Sequence, residues 1–232
     1  YNEQAGKCIQ NRHGIPLTCC SHLFPIVAAR NPVKDAPMQT VPTTAAAPTP
    51  TLFIDADACP VTREALDIAR RRGIRTVIAG NSTQNLQRRI RRDDPRDAAS
   101  ARRGFWVETL DVSVWADAAD FAIVERLQPG DVVVTQDIGL ASMVLGRGAS
   151  AIGVRGHLYR KETIDMQLFI RHEEKKVRRA GGKTGGFSAF DDDDRERFVR
   201  NLSSLIHDAL KSAAQAAIRQ SATADDSETK QL

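Results

Sequence analysis

Five aspartates in this chain occupy positions where carboxylate chemistry is possible. In "TLFIDADACP", Asp55 and Asp57 stand where a short apolar run surfaces, and in "DVVVTQDIGLA" Asp137 follows a second such run. In "WADAADFAI", Asp117 and Asp120 are three apart and share a face near the start of a helix. Carboxylates gathered at short range repel one another unless a positive charge sits among them. A hard divalent cation such as Mg²⁺ meets that need, since it prefers oxygen ligands, keeps several waters and takes few carboxylates. A cation held this way activates water and stabilises the leaving oxygen in phosphodiester hydrolysis. Each aspartate also has a plainer role. Asp57 suits the cap of a following helix, Asp120 a surface carboxylate in a first helical turn, and Asp137 the cap of the helix after its strand.

Convergence depends on the elements that carry these residues. Strands are expected at "TLFID", "RTVIAG", "FWVETL", "DVVVTQD" and "SAIGV". Between them lie a helix from Pro60 to Arg72, stopped by Gly73, and a short helix in "NSTQNLQRRIRR". A further helix carries Trp115, Ala119, Ala122, Ile123 and Leu127, and another runs from Leu140 to Arg147. Solidly apolar strands alternating with helices predict an α/β fold, a parallel sheet with helices on both faces. The simplest strand order, 3-2-1-4-5, reverses between strands 1 and 4. Ligands of such sheets sit at the carboxyl ends of the strands beside that reversal. Asp55, Asp57 and Asp137 belong there, with Asp117 and Asp120 on the adjoining helix. Two more helices follow, one over 162–179 and one starting in "DDDDRERF" that buries Phe198, Leu202, Leu205 and Ile206. The acidic run Asp191 to Asp194 matches the positive end of that last helix.

The flanks differ from this alternation. Residues 1–50 hold seven prolines among Thr/Ala-rich filler and predict a disordered N-terminal extension. Because the chain starts at Tyr1, its extreme N-terminus reads as a fragment or an over-extended start. Residues 51–210 form the expected folded domain. Residues 211–232 turn small and polar, and predict a frayed helix end and disordered tail. The 232 residues are 41% hydrophobic and 27% charged, with net charge +4, ordinary for a globular protein. Cys8, Cys19, Cys20 and Cys59 make no disulfide framework. No apolar run is long enough to span a bilayer, so a cytoplasmic location and no membrane partner are expected.

Six ordered motifs carry a family resemblance: "FIDADACPV", "GNS" at 80–82, "DAADFAI", "GDVVVTQDIGLA", "VRGHLYRKETI" and "GGKTGGFSAFDDDDRERF". Over Thr51 to Leu210 the chain resembles the bacterial YaiI/YqxD family, related to PIN-like domains. PIN-like proteins are typically Mg²⁺- or Mn²⁺-dependent ribonucleases with acidic residues at the sheet edge. The resemblance therefore implies a three-layer PIN-like fold, catalytic roles for Asp55, Asp120 and Asp137, and RNA as substrate. Asp57 and Asp117 match the narrower YaiI/YqxD pattern and join the implied metal ligands.

Other residues complete the expectations. Asn81 and Ser82 end strand 2 on the acidic edge, where they suit either a phosphate contact or a simple turn. Thr135 enters the crevice beside Asp137, placed to hydrogen-bond a carboxylate. Arg88 and Arg89, in "RRIRR", are the best-placed of several basic runs to follow a nucleic-acid backbone. Cys59 reads as a packed thiol, and the glycines around Lys183 lack the spacing of a P-loop, so no organic cofactor is expected. Two alternatives to a nuclease stand. One is a non-catalytic PIN-like module binding nucleic acid or protein. The other is a haloacid-dehalogenase-type phosphatase, suggested by the D-x-D of "FIDADAC", in which Asp55 would be a covalent nucleophile.

Overall fold

A computed structural model describes residues 49–57, 59–81, 85–112, 118–183 and 188–228, with side chains described as far as 220. Five strands form one all-parallel sheet: β1 (Leu52–Asp55), β2 (Thr76–Asn81), β3 (Val107–Val112), β4 (Val132–Val134) and β5 (Ser150–Ile152). Their order is β3-β2-β1-β4-β5, so the expected reversal between β1 and β4 is present. In register, Leu52 pairs with both Thr76 and Val132, and Ile54 with Ile78 and Val134.

The two faces are sorted by side-chain alternation along each strand. Leu52, Ile54, Ile78, Val107, Val132, Val134 and Ile152 point to one face. There they pack against α1 (Thr62–Arg72) and α5 (Asp192–Glu228), chiefly Ala65, Leu66, Ile68 and Ala69 facing Phe198, Leu202 and Ile206. Phe53, Val77, Ala79, Val133 and Ala151 point the other way. They meet Ile123 and Leu127 of α2 (Ala118–Arg126) and its end, Leu140, Ala141 and Val144 of α3 (Ile138–Gly146), and Ile164 of α4 (Lys161–Arg179). A central sheet thus lies between two helix layers. Both faces being covered explains why the strands read as unbroken apolar runs.

Local signals account for several boundaries. Gly73 ends α1 in the left-handed region (φ 67°), its N–H bonding the Ala69 carbonyl. Gly156 (φ 78°) lets the loop after β5 approach α5 so closely that a Cβ there would lie 2.7 Å from the Phe198 nitrogen. Asn201 Nδ2 donates to the Gly156 carbonyl at 2.8 Å and fixes that approach. The acidic run acts as expected at a helix start: Asp191 accepts from the Asp194 N–H at 2.8 Å, opening α5.

Three boundaries differ from the sequence reading. Asp57 does not cap α1, because the helix begins only at Thr62, with Val61 in the capping position and no side-chain cap. The "RRIRR" helix contracts to one 3₁₀ turn, Leu86–Arg89, whose Leu86 and whose neighbour Ile90 are buried as the pattern suggested. Finally, α5 runs on through the expected frayed helix end and tail, as far as Glu228. The segment is largely exposed over 211–220 but rich in alanine, the strongest helix former. Residues 1–48, and with them nearly all of the expected N-terminal extension, lie outside the described residues. No helix among the described residues is long and apolar enough to cross a membrane.

Candidate functional site

Asp55 is the last residue of β1, one of the two strands flanking the reversal, and is only 6% exposed. Its Oδ1 accepts from the Asp57 N–H at 3.1 Å and its Oδ2 from the Thr135 hydroxyl at 2.8 Å. Thr135 follows β4 on the neighbouring strand and is itself buried. Its hydroxyl oxygen also accepts the Asp137 N–H at 2.9 Å. The expected hydrogen bond from Thr135 to a carboxylate is thus present, and it orients Asp55 and ties β1 to the turn after β4.

Burial pushes the Asp55 carboxyl above its ordinary range. The two hydrogen bonds pull it back, while the charges of Asp57 and Asp137 push it further up. Asp137 is the cap of α3, accepting from the Gly139 and Leu140 N–H groups at 2.5 and 3.3 Å. Arg171 of α4 grips both its oxygens at 3.2 Å. Burial opposes ionisation of Asp137 too, but Arg171 and the two N–H groups outweigh it and hold its carboxyl below the usual range. The capping role and the site position therefore coincide in one residue.

Asp57 is exposed, past the end of β1. Asp120 is half-buried in the first turn of α2. Asp117 and Ser82 lie outside the described residues, while Asn81 is half-buried as the last residue of β2. Among the described residues, no three His, Cys, Asp or Glu side chains are grouped tightly enough to enclose a metal ion. The described convergence is looser: Asp55 at the centre, with Asp57 and Asp137 acting on it electrostatically.

Beside the acids is a cleft of about 420 Å³, lined by Cys59, Pro60, Arg89, Gln136, Val154, Arg155 and Phe190. Burial raises the Cys59 thiol, consistent with a packing role rather than a nucleophile. Arg155 reaches this cleft through the Gly156 loop and pairs with the buried Asp194. Two participants were missed from the sequence. Arg171 and Arg155 each meet their partners across more than thirty residues of chain. Arg155 stands in the motif "VRGHLYRKETI", while Arg171 opens the basic run "RHEEKKVRR", which by itself reads as a solvated helix face.

A family described as "Uncharacterized BCR, YaiI/YqxD family" matches residues 53–208. Similar proteins include a UPF0178 protein of Bacillus velezensis, 37% identical over 156 residues, which cover 67% of this chain and 84% of that one. A UPF0178 protein of Mesorhizobium japonicum is 36% identical over 166 residues, 72% of this chain and 97% of its own. Another, from Caulobacter vibrioides, is 37% identical over 163 residues, 70% and 97% of the respective chains. No solved structure matches.

Proposed function

The chain belongs to the YaiI/YqxD family, and from that premise we propose that it is a divalent-cation-dependent nuclease acting on RNA at the acidic edge of its sheet. The observation that carries this reading is Asp55: a buried carboxylate at the strand reversal whose neighbours include two further carboxylates rather than a matching cation. Its residues suit Mg²⁺ or Mn²⁺, because such ions keep much of their water and need only one or two carboxylates alongside a substrate phosphate. Asp55 would hold the ion with one neighbouring carboxylate, Asp57 or Asp137, since the three are not grouped tightly enough to enclose it together; Asp117 and Asp120 complete the set implied by the PIN-like resemblance. Bound there, the cation would supply water activation and charge neutralisation at a phosphodiester.

The chain's own residues have separable tasks. Thr135 holds the Asp55 carboxylate in one orientation between β1 and β4. The α3 N-terminus fixes Asp137, and Arg171 offsets its charge. With Mn²⁺ and a short RNA, the purified protein is expected to produce cleavage fragments, and the Asp55→Asn and Asp137→Asn variants to produce none. Cleavage that persists in both variants overturns the assignment.

A further inference from the structure

A second concavity, of about 260 Å³, is lined by Arg63, Leu66, Arg70, Arg88, Arg89, Ile90 and Arg91. Five of its seven lining residues are arginines, and their charges are compensated unequally. Arg70 is tied to Asp94 through Nε and Nη2, at 3.1, 2.7 and 2.8 Å, and to Asp67 through Nη1 at 2.6 Å. Arg91 reaches Asp67 at 2.9 Å. Among the described residues, Arg63, Arg88 and Arg89 have no carboxylate within ion-pair distance.

Arg89 stands apart from the other two. It is half-buried, and it lines both this concavity and the 420 Å³ cleft beside the acidic edge. Its Nη1 donates to the Cys59 carbonyl at 3.2 Å and to the Thr62 hydroxyl at 2.8 Å. Both acceptors are uncharged, so the guanidinium is positioned without being neutralised. Among the described residues no acceptor engages its Nε or Nη2, which together form the edge that grips an oxyanion with two parallel hydrogen bonds. A half-buried cation with a fixed orientation and an uncommitted fork is the arrangement that an anion completes.

We propose that Arg89, with Arg63 and Arg88, binds a phosphate group of a nucleotide or oligonucleotide, the remainder of which passes through the cleft alongside Gln136 toward Asp55. Gln136 lines that cleft and stands in the chain between Thr135 and Asp137, which puts the cleft next to the acidic edge. Two sources share this chemistry: a terminal phosphate monoester and an internal phosphodiester. The site concerns recognition and does not depend on turnover, so it is tested without divalent cation.

Binding of 3′-labelled oligouridylate, with a 5′-phosphate or a 5′-hydroxyl, is measured by fluorescence anisotropy in EDTA over a salt series. Arg89→Gln and Arg89→Lys are each expected to weaken binding at least about tenfold, since lysine restores the charge but not the fork. Arg89→Gln should also lower the slope of log K against log salt by about one. Because Arg89 bridges Cys59 and Thr62, the Arg63→Gln/Arg88→Gln double variant gives a second reading with those contacts intact, and it too should weaken binding several-fold. Arg147→Gln, at the opposite edge of the sheet, serves as the control and should bind as the wild type does. A strong preference for the 5′-phosphate identifies the monoester, and equal binding identifies the diester; both support the site. Folded Arg89 and double variants that bind within twofold of the wild type overturn it, as does an equal loss in Arg147→Gln.

Discussion

Asp55 and Asp131 are buried carboxylates at opposite ends of the two central strands, 6% and 4% exposed. Burial raises both from their ordinary range. Asp131, just before β4, accepts from the Thr51 N–H at 2.7 Å and the Gln128 N–H at 2.8 Å, and the charge acting on it is that of Arg75. Asp55, ending β1, also has two hydrogen bonds, but the charges acting on it are those of Asp57 and Asp137. One carboxylate closes a turn and feels a nearby cation, Arg75, whose own ion pair is with Glu108. The other is held in a fixed orientation among like charges. Equal burial thus comes with neighbouring charge of opposite sign, and on the function proposed above that sign separates a structural carboxylate from a site carboxylate.

The largest expected effect breaks that pair on activity. Loss of a hydrogen-bonding partner behind a metal ligand typically costs about 10–100-fold, so Asp55→Asn should lower RNA cleavage at least about a hundredfold. Asp131→Asn should leave the rate per folded molecule unchanged, as read from initial rates.

Stability should show the reverse order. Asp131→Ala orphans two backbone N–H groups at roughly 1–3 kcal/mol each. It is expected to lower the midpoint of thermal unfolding by several degrees, at about 2–4 °C per kcal/mol for a domain of this size. Asp55→Asn removes a buried charge and keeps the shape, and should leave the midpoint unchanged or raise it, since burial works against the ionised carboxylate.

The dependence on pH sharpens the same contrast. Because the folded Asp55 carboxyl lies above its ordinary range, its ionised form costs stability at neutral pH. That cost eases as pH falls through the folded value toward the ordinary carboxylate value. The advantage of Asp55→Asn over the wild type should therefore shrink between pH 7 and pH 4, as measured by urea midpoints. Asp137 runs the other way: its folded value is lowered, so its contribution is present at neutral pH and is lost as pH falls through that value.

The smallest effect concerns Arg171. Its side chain and that of Asp137 are 48% and 39% exposed, so the pair is worth no more than about 1 kcal/mol. Arg171→Gln should barely move the unfolding midpoint. By releasing Asp137 it should lower the Mn²⁺ concentration needed for half-maximal cleavage.

Much of this architecture was legible in the chain. Five apolar runs bounded by Gly, Pro and helical spacing gave the sheet, and the reversal between β1 and β4 followed from the simplest order. Asp55, Asp57 and Asp137 were located from their place at strand ends. What escaped was set by contacts distant in sequence. Arg171 meets Asp137 from a helix two elements later, and Arg155 finds Asp194 only after the Gly156 loop docks on α5. Asp57 looked like a cap because Pro60 suggested a helix start, but the loop runs on to Val61. The "RRIRR" stretch has helical composition, yet burial of Leu86 and Ile90 and the anchoring of Arg89 hold it as a single turn. Asp131 drew no notice, since nothing local distinguishes a carboxylate that closes a turn from one on the surface.

On the proposed function, Asp55 is the carboxylate that recruits a cation. Mn²⁺ binding, followed by electron paramagnetic resonance of the free ion, tests this without any substrate. Wild type and Asp131→Asn are expected to take up Mn²⁺ alike, and Asp55→Asn to leave it free at the same concentrations. Equal uptake by a folded Asp55→Asn variant, or no uptake by the wild type at millimolar ion, would contradict the account.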